Sequence, residues 1–212
     1  VEQVVKEEPL TLTDILRARS KGVVNQVAAF FMRLGFTPNL VTLLGLLGNV
    51  IGAYFLATGQ ITLGGVIILL MGPFDALDGA IARLGGKQTK FGAFLDSVTD
   101  RLSELVIFGG LLIYYTHQND ALASILVYAA AAGSLMVSYT RARAQSVGLE
   151  AKVGILSRVE RFLILAPCLV INRPIIALWI LAVLANFTAV QRILHVRKAA
   201  EQEPPDVHDR QA

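Results

Sequence analysis

The chain has 212 residues, of which 54% are hydrophobic and 17% charged, with a mean hydropathy of +0.59. That is too apolar and too thinly charged for an ordinary soluble domain, so a membrane protein is the first expectation. The net charge of +3 gives no sign of a nucleic-acid surface, and the single Cys168 has no partner for an intrachain disulfide.

The opening residues mix acids and bases and lack the basic head, apolar stretch and cleavage site of a signal peptide. Residues 10–34 then alternate apolar and basic positions up to the Gly35–Pro38 break. This predicts a helix lying on the inner membrane surface with its cations toward anionic headgroups, or an amphipathic helix packed on protein. Apolar segments follow at 39–58, 60–82, 92–116, 120–140, 154–172 and 174–194. Each has close to the roughly 20 residues that a bilayer crossing needs. The expected fold is therefore all-α, with six transmembrane helices across 37–198, an N-terminal segment 1–36 and a polar, disordered tail 199–212.

Basic residues set the expected orientation, because Lys and Arg concentrate in cytoplasmic segments. Arg17, Arg19, Lys21, Arg33, Arg83, Lys87, Lys90, Arg141, Arg143, Lys152, Arg158, Arg161, Arg192, Arg197 and Lys198 fall on one side, and Arg173 alone on the other. Both termini are expected to be cytoplasmic in a multi-pass protein of the cell membrane.

Two of the apolar segments are impure. In FDALDGAIARLGGKQTKFGAFLDSVTDR, Asp75 and Asp78 lie three apart, and Asp96 and Asp100 four apart. On helices each pair projects from one face, and a short loop makes the two helices antiparallel neighbours, so four carboxylates can converge. Uncompensated charge near hydrocarbon costs several kcal/mol, and one arginine cannot offset four acids. Hard divalent cations can, since Mg²⁺ and Mn²⁺ take oxygen ligands. Gly79 and Gly92 either admit a ligand or pack helices, and Arg83, Lys87 and Lys90 suit an anionic, phosphate-bearing molecule. Glu104 lies deeper, as a further polar contact or a helix partner.

The pattern D-x-x-D-G-x-x-A-R-x8-G-x3-D-x3-D, with eight fixed positions over 26 residues, resembles the signature of the CDP-alcohol phosphotransferase family. The resemblance implies transfer of a phosphatidyl-type group from a CDP-linked lipid to an alcohol, with release of CMP. It implies that Asp75, Asp78, Asp96 and Asp100 hold two Mg²⁺ or Mn²⁺ ions, and that Asp100 is also the base for the acceptor hydroxyl. Asp75, Gly79, Arg83 and Thr89 would contact the CDP part, and Asn39, Leu40, Val41 and Thr42 of TPNLVT would approach the nucleotide. A homodimer is implied as well. From the residues alone, TPNLVT also reads simply as a helix start, with Pro38 preset and a polar cap beside it.

Arg141, Arg143, Lys152, Arg158 and Arg161 surround a bend expected on the same side as the aspartates. They are either a generic positive-inside loop or a site for a second anionic group. SYTRARAQSVG followed by RVER resembles the subgroup that makes phosphatidylinositol phosphate from CDP-diacylglycerol and inositol phosphate, or its ether-lipid counterpart. It departs from that subgroup at Gln145, where an acid is usual, and at Val159, where proline is. Glycerol 3-phosphate is the alternative acceptor. In another class altogether, intramembrane carboxylates could serve a cation transporter.

Overall fold

A computed structural model describes residues 12–86 and 88–202 of the protein, and all regular structure among them is helical. The helices are α1 (Leu12–Arg33), α2 (Pro38–Ala57), α3 (Ile61–Met71), α4 (Phe74–Leu84), α5 (Lys90–His117), α6 (Ala121–Ser146), α7 (Arg158–Val170) and α8 (Pro174–Gln202). Lys87 and the chain ends, including most of the expected tail, lie outside the described residues. α8 runs four residues into the stretch expected to be that tail.

Local chemistry sets most boundaries. Thr37 Oγ1 accepts the Leu40 N–H at 3.3 Å and Pro38 opens α2, so TPN is a working helix start. Thr89 Oγ1 caps α5 through the Gly92 N–H at 2.9 Å, and Asp120 Oδ1 caps α6 through Ala123 N–H at 2.9 Å. At α7 the Ser157 N–H donates to Glu160 Oε2 at 2.7 Å, the reach-back half of a capping box. Gly72 and Pro73 interrupt the second apolar segment. Proline has no N–H to continue the ladder and its ring crowds the preceding turn, so α3 stops and α4 restarts at a kink.

The six expected transmembrane helices are not found among the described residues. Taking α3 and α4 as one kinked run leaves seven helices there, of which four are long and apolar enough to cross a bilayer: α2, Ile61–Leu84, α6 and α8. The physical reasons differ for the other two. α5 has 28 residues, but Asp96, Asp100, Arg101 and Glu104 interrupt its apolar run. α7 has 13 residues, which at 1.5 Å per residue gives about 20 Å against a hydrocarbon core of about 30 Å. Four apolar helices still make this a multi-pass membrane protein, and Leu47, Ile125, Trp179 and Val183 expose large apolar side chains on them.

Packing relies on small residues, as it does where lipid competes for apolar contact. A Cβ on Gly65 would lie 2.6 Å from Leu169 Cβ, so α3 and α7 pack backbone to backbone. α2 packs on α5 and α3, α6 on α8, and α1 on α4, where Ala28, Val41, Leu77, Ala80 and Ile81 form a buried cluster. The backbones of α5 and α7 scarcely approach one another. A cavity lies between them.

Candidate active site

The kink at Pro73 puts Asp75 in the first turn of α4, where the helix dipole favours an anion, and Asp78 one turn further along. The short connection to α5 brings up Asp96 and Asp100. All four carboxylates line one cavity of about 750 Å³, together with Gly79, Arg83 and Arg158.

Two of these acids share a cation. Arg158 Nη2 lies 2.6 Å from Asp75 Oδ2, and Arg158 Nη1 lies 2.8 Å from Asp100 Oδ2, so one guanidinium bridges α4 and α5. Asp78 is only 4% exposed and accepts a 2.6 Å hydrogen bond from Thr42 Oγ1 on α2. The Asp96 carboxylate has no hydrogen bond or ion pair among the described residues, and Arg101 turns back to Ser97 on its own helix. Four carboxylates thus face one directly paired cation. The donor set is all oxygen and its excess charge is negative, which fits hard divalent ions. Among the described residues, no three acidic, histidine or cysteine side chains converge at ligand spacing.

The residues expected on the donor side divide. Gly79 and Arg83 line the cavity, and a Cβ at Gly79 would meet nothing within 4 Å except Arg83 Nη1 at 3.3 Å, so this wall is open. A Cβ at Gly92 would lie 3.0 Å from Thr89 Oγ1 and 3.4 Å from Asn39 Oδ1, which draws the starts of α2 and α5 together. Leu40 is exposed, Val41 is buried in the α1–α4 cluster, and Thr42 reaches the site through Asp78. Asn39, Leu40, Val41, Thr42 and Thr89 do not line the cavity itself.

The basic cluster divides too. Arg141 and Arg143 are exposed on the last turns of α6, and Lys152 lies 3.2 Å from Glu150 on the bend. Arg161 is 2% exposed and forms a bidentate pair with Glu104, Nε to Oε1 at 2.7 Å and Nη2 to Oε2 at 3.0 Å, with Ser138 Oγ at 3.3 Å. Only Arg158 and Arg161 of these five line the cavity.

Other residues carry no site role in the sequence reading. Arg192, 4% exposed on α8, donates to the carbonyls of Val153 (2.9 Å) and Val137, and Thr188 Oγ1 accepts the Leu156 N–H at 3.2 Å. Together they fasten the bend that leads into Arg158. A lone cation in FTAVQRIL was the available signal. Lys21 and Asn25 of α1 and Asn49 of α2 also line the cavity, and for them the sequence offered no signal beyond polarity.

The comparisons with known proteins agree with this geometry. Residues 36–193 match the CDP-alcohol phosphatidyltransferase family. The chain is 36% identical over 208 residues to a phosphatidylinositol phosphate synthase of Streptomyces avermitilis, covering 90% of this chain and 84% of that protein. It is 37% identical over 189 residues to an archaetidylinositol phosphate synthase of Pyrococcus horikoshii, covering 88% and 97%. Crystal structures of the Mycobacterium tuberculosis phosphatidylinositol phosphate synthase superpose with TM-scores of 0.77 with CDP-DAG bound and 0.78 with manganese and citrate. Both are 33% identical to this chain and cover 82% of it, and the chain covers 93% and 88% of them respectively. With the carboxylate signature inside the matched segment, this chain belongs to the CDP-alcohol phosphatidyltransferase family.

Proposed function

We propose that the protein transfers a phosphatidyl group from CDP-diacylglycerol to inositol phosphate, giving phosphatidylinositol phosphate and CMP. Family membership makes it a transferase, so the cation-transport reading of its acids falls away. The observation that carries the reading is the gathering of Asp75, Asp78, Asp96 and Asp100 on one cavity, with Arg83 and Arg158 on its walls. A related synthase has been crystallised with CDP-DAG and another time with manganese.

The four aspartates would hold two Mg²⁺ or Mn²⁺ ions. Such ions polarise a diphosphate and stabilise the charge of the departing nucleotide. The chain's own residues do the rest. Asp100 takes the proton of the acceptor hydroxyl, a task that requires an ionised carboxylate within hydrogen-bond reach of it. Thr42 orients Asp78, and the side-chain-free surface of Gly79 lets the CDP moiety approach α4. Arg83 contributes a planar, fixed positive charge toward phosphate. Thr89 and Asn39–Thr42 shape the donor end, and Arg141, Arg143 and Lys152 draw in the acceptor phosphate. The active site faces the cytoplasm, where soluble acceptor is available, and the protein acts as a homodimer.

An acceptor panel tests this reading. Purified protein with CDP-diacylglycerol and Mg²⁺ is given inositol phosphate, inositol, glycerol 3-phosphate or serine, and CMP release is followed. Turnover with inositol phosphate above all others is expected. Preference for glycerol 3-phosphate would make the enzyme a phosphatidylglycerol phosphate synthase, and failure of the ester donor alongside turnover of its ether analogue would move it to the archaetidyl type.

A further inference from the structure

We propose that Arg158 is a displaceable counter-ion: its guanidinium occupies the place of metal between Asp75 and Asp100, and divalent metal releases it toward the anionic acceptor. This rests on the metal-dependent reading above and adds an order of events to it.

The geometry of the contact points this way. A guanidinium held for structure usually lays two parallel N–H groups on one carboxylate. Arg161, one turn along the same helix, does so with Glu104. Arg158 instead splits its fork, giving one nitrogen to Asp75 on α4 and the other to Asp100 on α5. That is the position of an ion shared by two carboxylates. Four acids line the cavity, no three of the described ones stand at ligand spacing, and the guanidinium fills the space between two of them. Arg158 and metal therefore exclude one another at this point.

Among the described residues no other ion pair or hydrogen bond fixes the guanidinium. Its side chain is 37% exposed and its ion-pair partners are those two acids, whereas Arg161 is 2% exposed with three hydrogen bonds. Arg158 is also the first residue of α7, where the helix dipole disfavours a cation. Arg161 can thus anchor the helix while Arg158 turns about its own side-chain bonds. A guanidinium released from carboxylates beside a cavity that receives phosphate is a ready phosphate ligand. Metal and acceptor would then bind with positive coupling through Arg158, and linkage requires the coupling to be reciprocal.

The test uses the full chain in lipid nanodiscs, without donor, and Mn²⁺ as the probe followed by its electron paramagnetic resonance. Arg158→Gln should bind Mn²⁺ about tenfold more tightly than the wild type, within the usual range of coupling between sites. Metal-free Arg158→Gln should melt lower, because its acids lose their counter-charge, and should gain more in Tm from Mn²⁺ than the wild type does. Arg158→Lys, which keeps the charge but lacks the planar fork and the length that span the two carboxylates, should fall between them and serves if the glutamine variant does not fold. With inositol phosphate as the second probe, saturating Mn²⁺ should tighten its binding severalfold more in the wild type than in Arg158→Gln. Equal or weaker Mn²⁺ binding by both variants overturns the proposal while leaving the function intact. Failure of the wild type to bind Mn²⁺ at all removes the metal-dependent reading as well.

Discussion

Glu104 and Arg161 form a pair whose disruption has an asymmetric cost that the structure sets. Replacing Glu104 by leucine strands a guanidinium that is 2% exposed, retains Ser138 Oγ at 3.3 Å, and already has an unpartnered Nη1. An uncompensated buried charge of this kind costs roughly 3 to 5 kcal/mol. Replacing Arg161 by methionine leaves a Glu104 side chain that is 17% exposed on the cavity wall and open to water, so the loss should be nearer 1 to 3 kcal/mol. The double variant removes both charges from an environment that includes Phe108 and Leu165, and apolar replacement of a buried pair is often close to neutral. Thermal unfolding in one fixed detergent and lipid mixture reads the cycle. Glu104→Leu should lower Tm by about 6 to 20 °C, Arg161→Met by less, and the double variant by less than Glu104→Leu alone. Additive losses, or equal losses from the two single variants, would refute the argument. An unchanged Tm for Arg161→Met with a raised KM for acceptor would return Arg161 to the acceptor site.

Further outcomes follow from other contacts. Asp100→Asn should keep CDP-diacylglycerol binding but lose about 10²- to 10⁴-fold in turnover, the range for a positioned base; wild-type-like CMP release would reject that role. Thr42→Val keeps shape but removes the 2.6 Å hydrogen bond to Asp78, so Mn²⁺ affinity should fall about 10- to 100-fold, as for lost partners of metal ligands, and unchanged calorimetric binding would oppose it. Arg192→Met removes the bonds to Val153 and Val137 carbonyls. Amide exchange across 150–157 should accelerate, and KM for inositol phosphate should rise while KM for the donor holds.

The acid cluster was legible because its geometry is local. Spacings of three and four within helices, joined by a short loop, leave few arrangements for Asp75, Asp78, Asp96 and Asp100, and the cavity gathers them as that spacing implies. The number of spans was not legible in the same way. The segments 92–116 and 154–172 are apolar by count, but the charges on α5 and the 13-residue length of α7 set them apart from the long apolar spans. Pro73 could have been read as the break between α3 and α4, since its missing N–H is a local fact. The partners of the basic residues could not. Arg161 meets Glu104 across 57 positions, and Arg192 meets a backbone carbonyl, a group that every residue carries and no letter marks.

RVER therefore holds two arginines with opposite tasks, separated by one turn. Burial and partner geometry divide them: Arg161 is enclosed and held bidentate by one carboxylate, and Arg158 is half-open and shared between two. Coulomb's law then gives the site its order of filling. Two unit charges at 4 Å in partly solvated protein interact by about 4 kcal/mol, so the carboxylates that Arg158 does not offset oppose the diphosphate of the donor and the phosphate of the acceptor wherever these come close to them. Cations must enter before anions can stay. Once they do, the guanidinium that balanced the acids is left without its two partners, and it stands at the start of α7, where the bend fastened by Thr188 and Arg192 delivers it to the cavity.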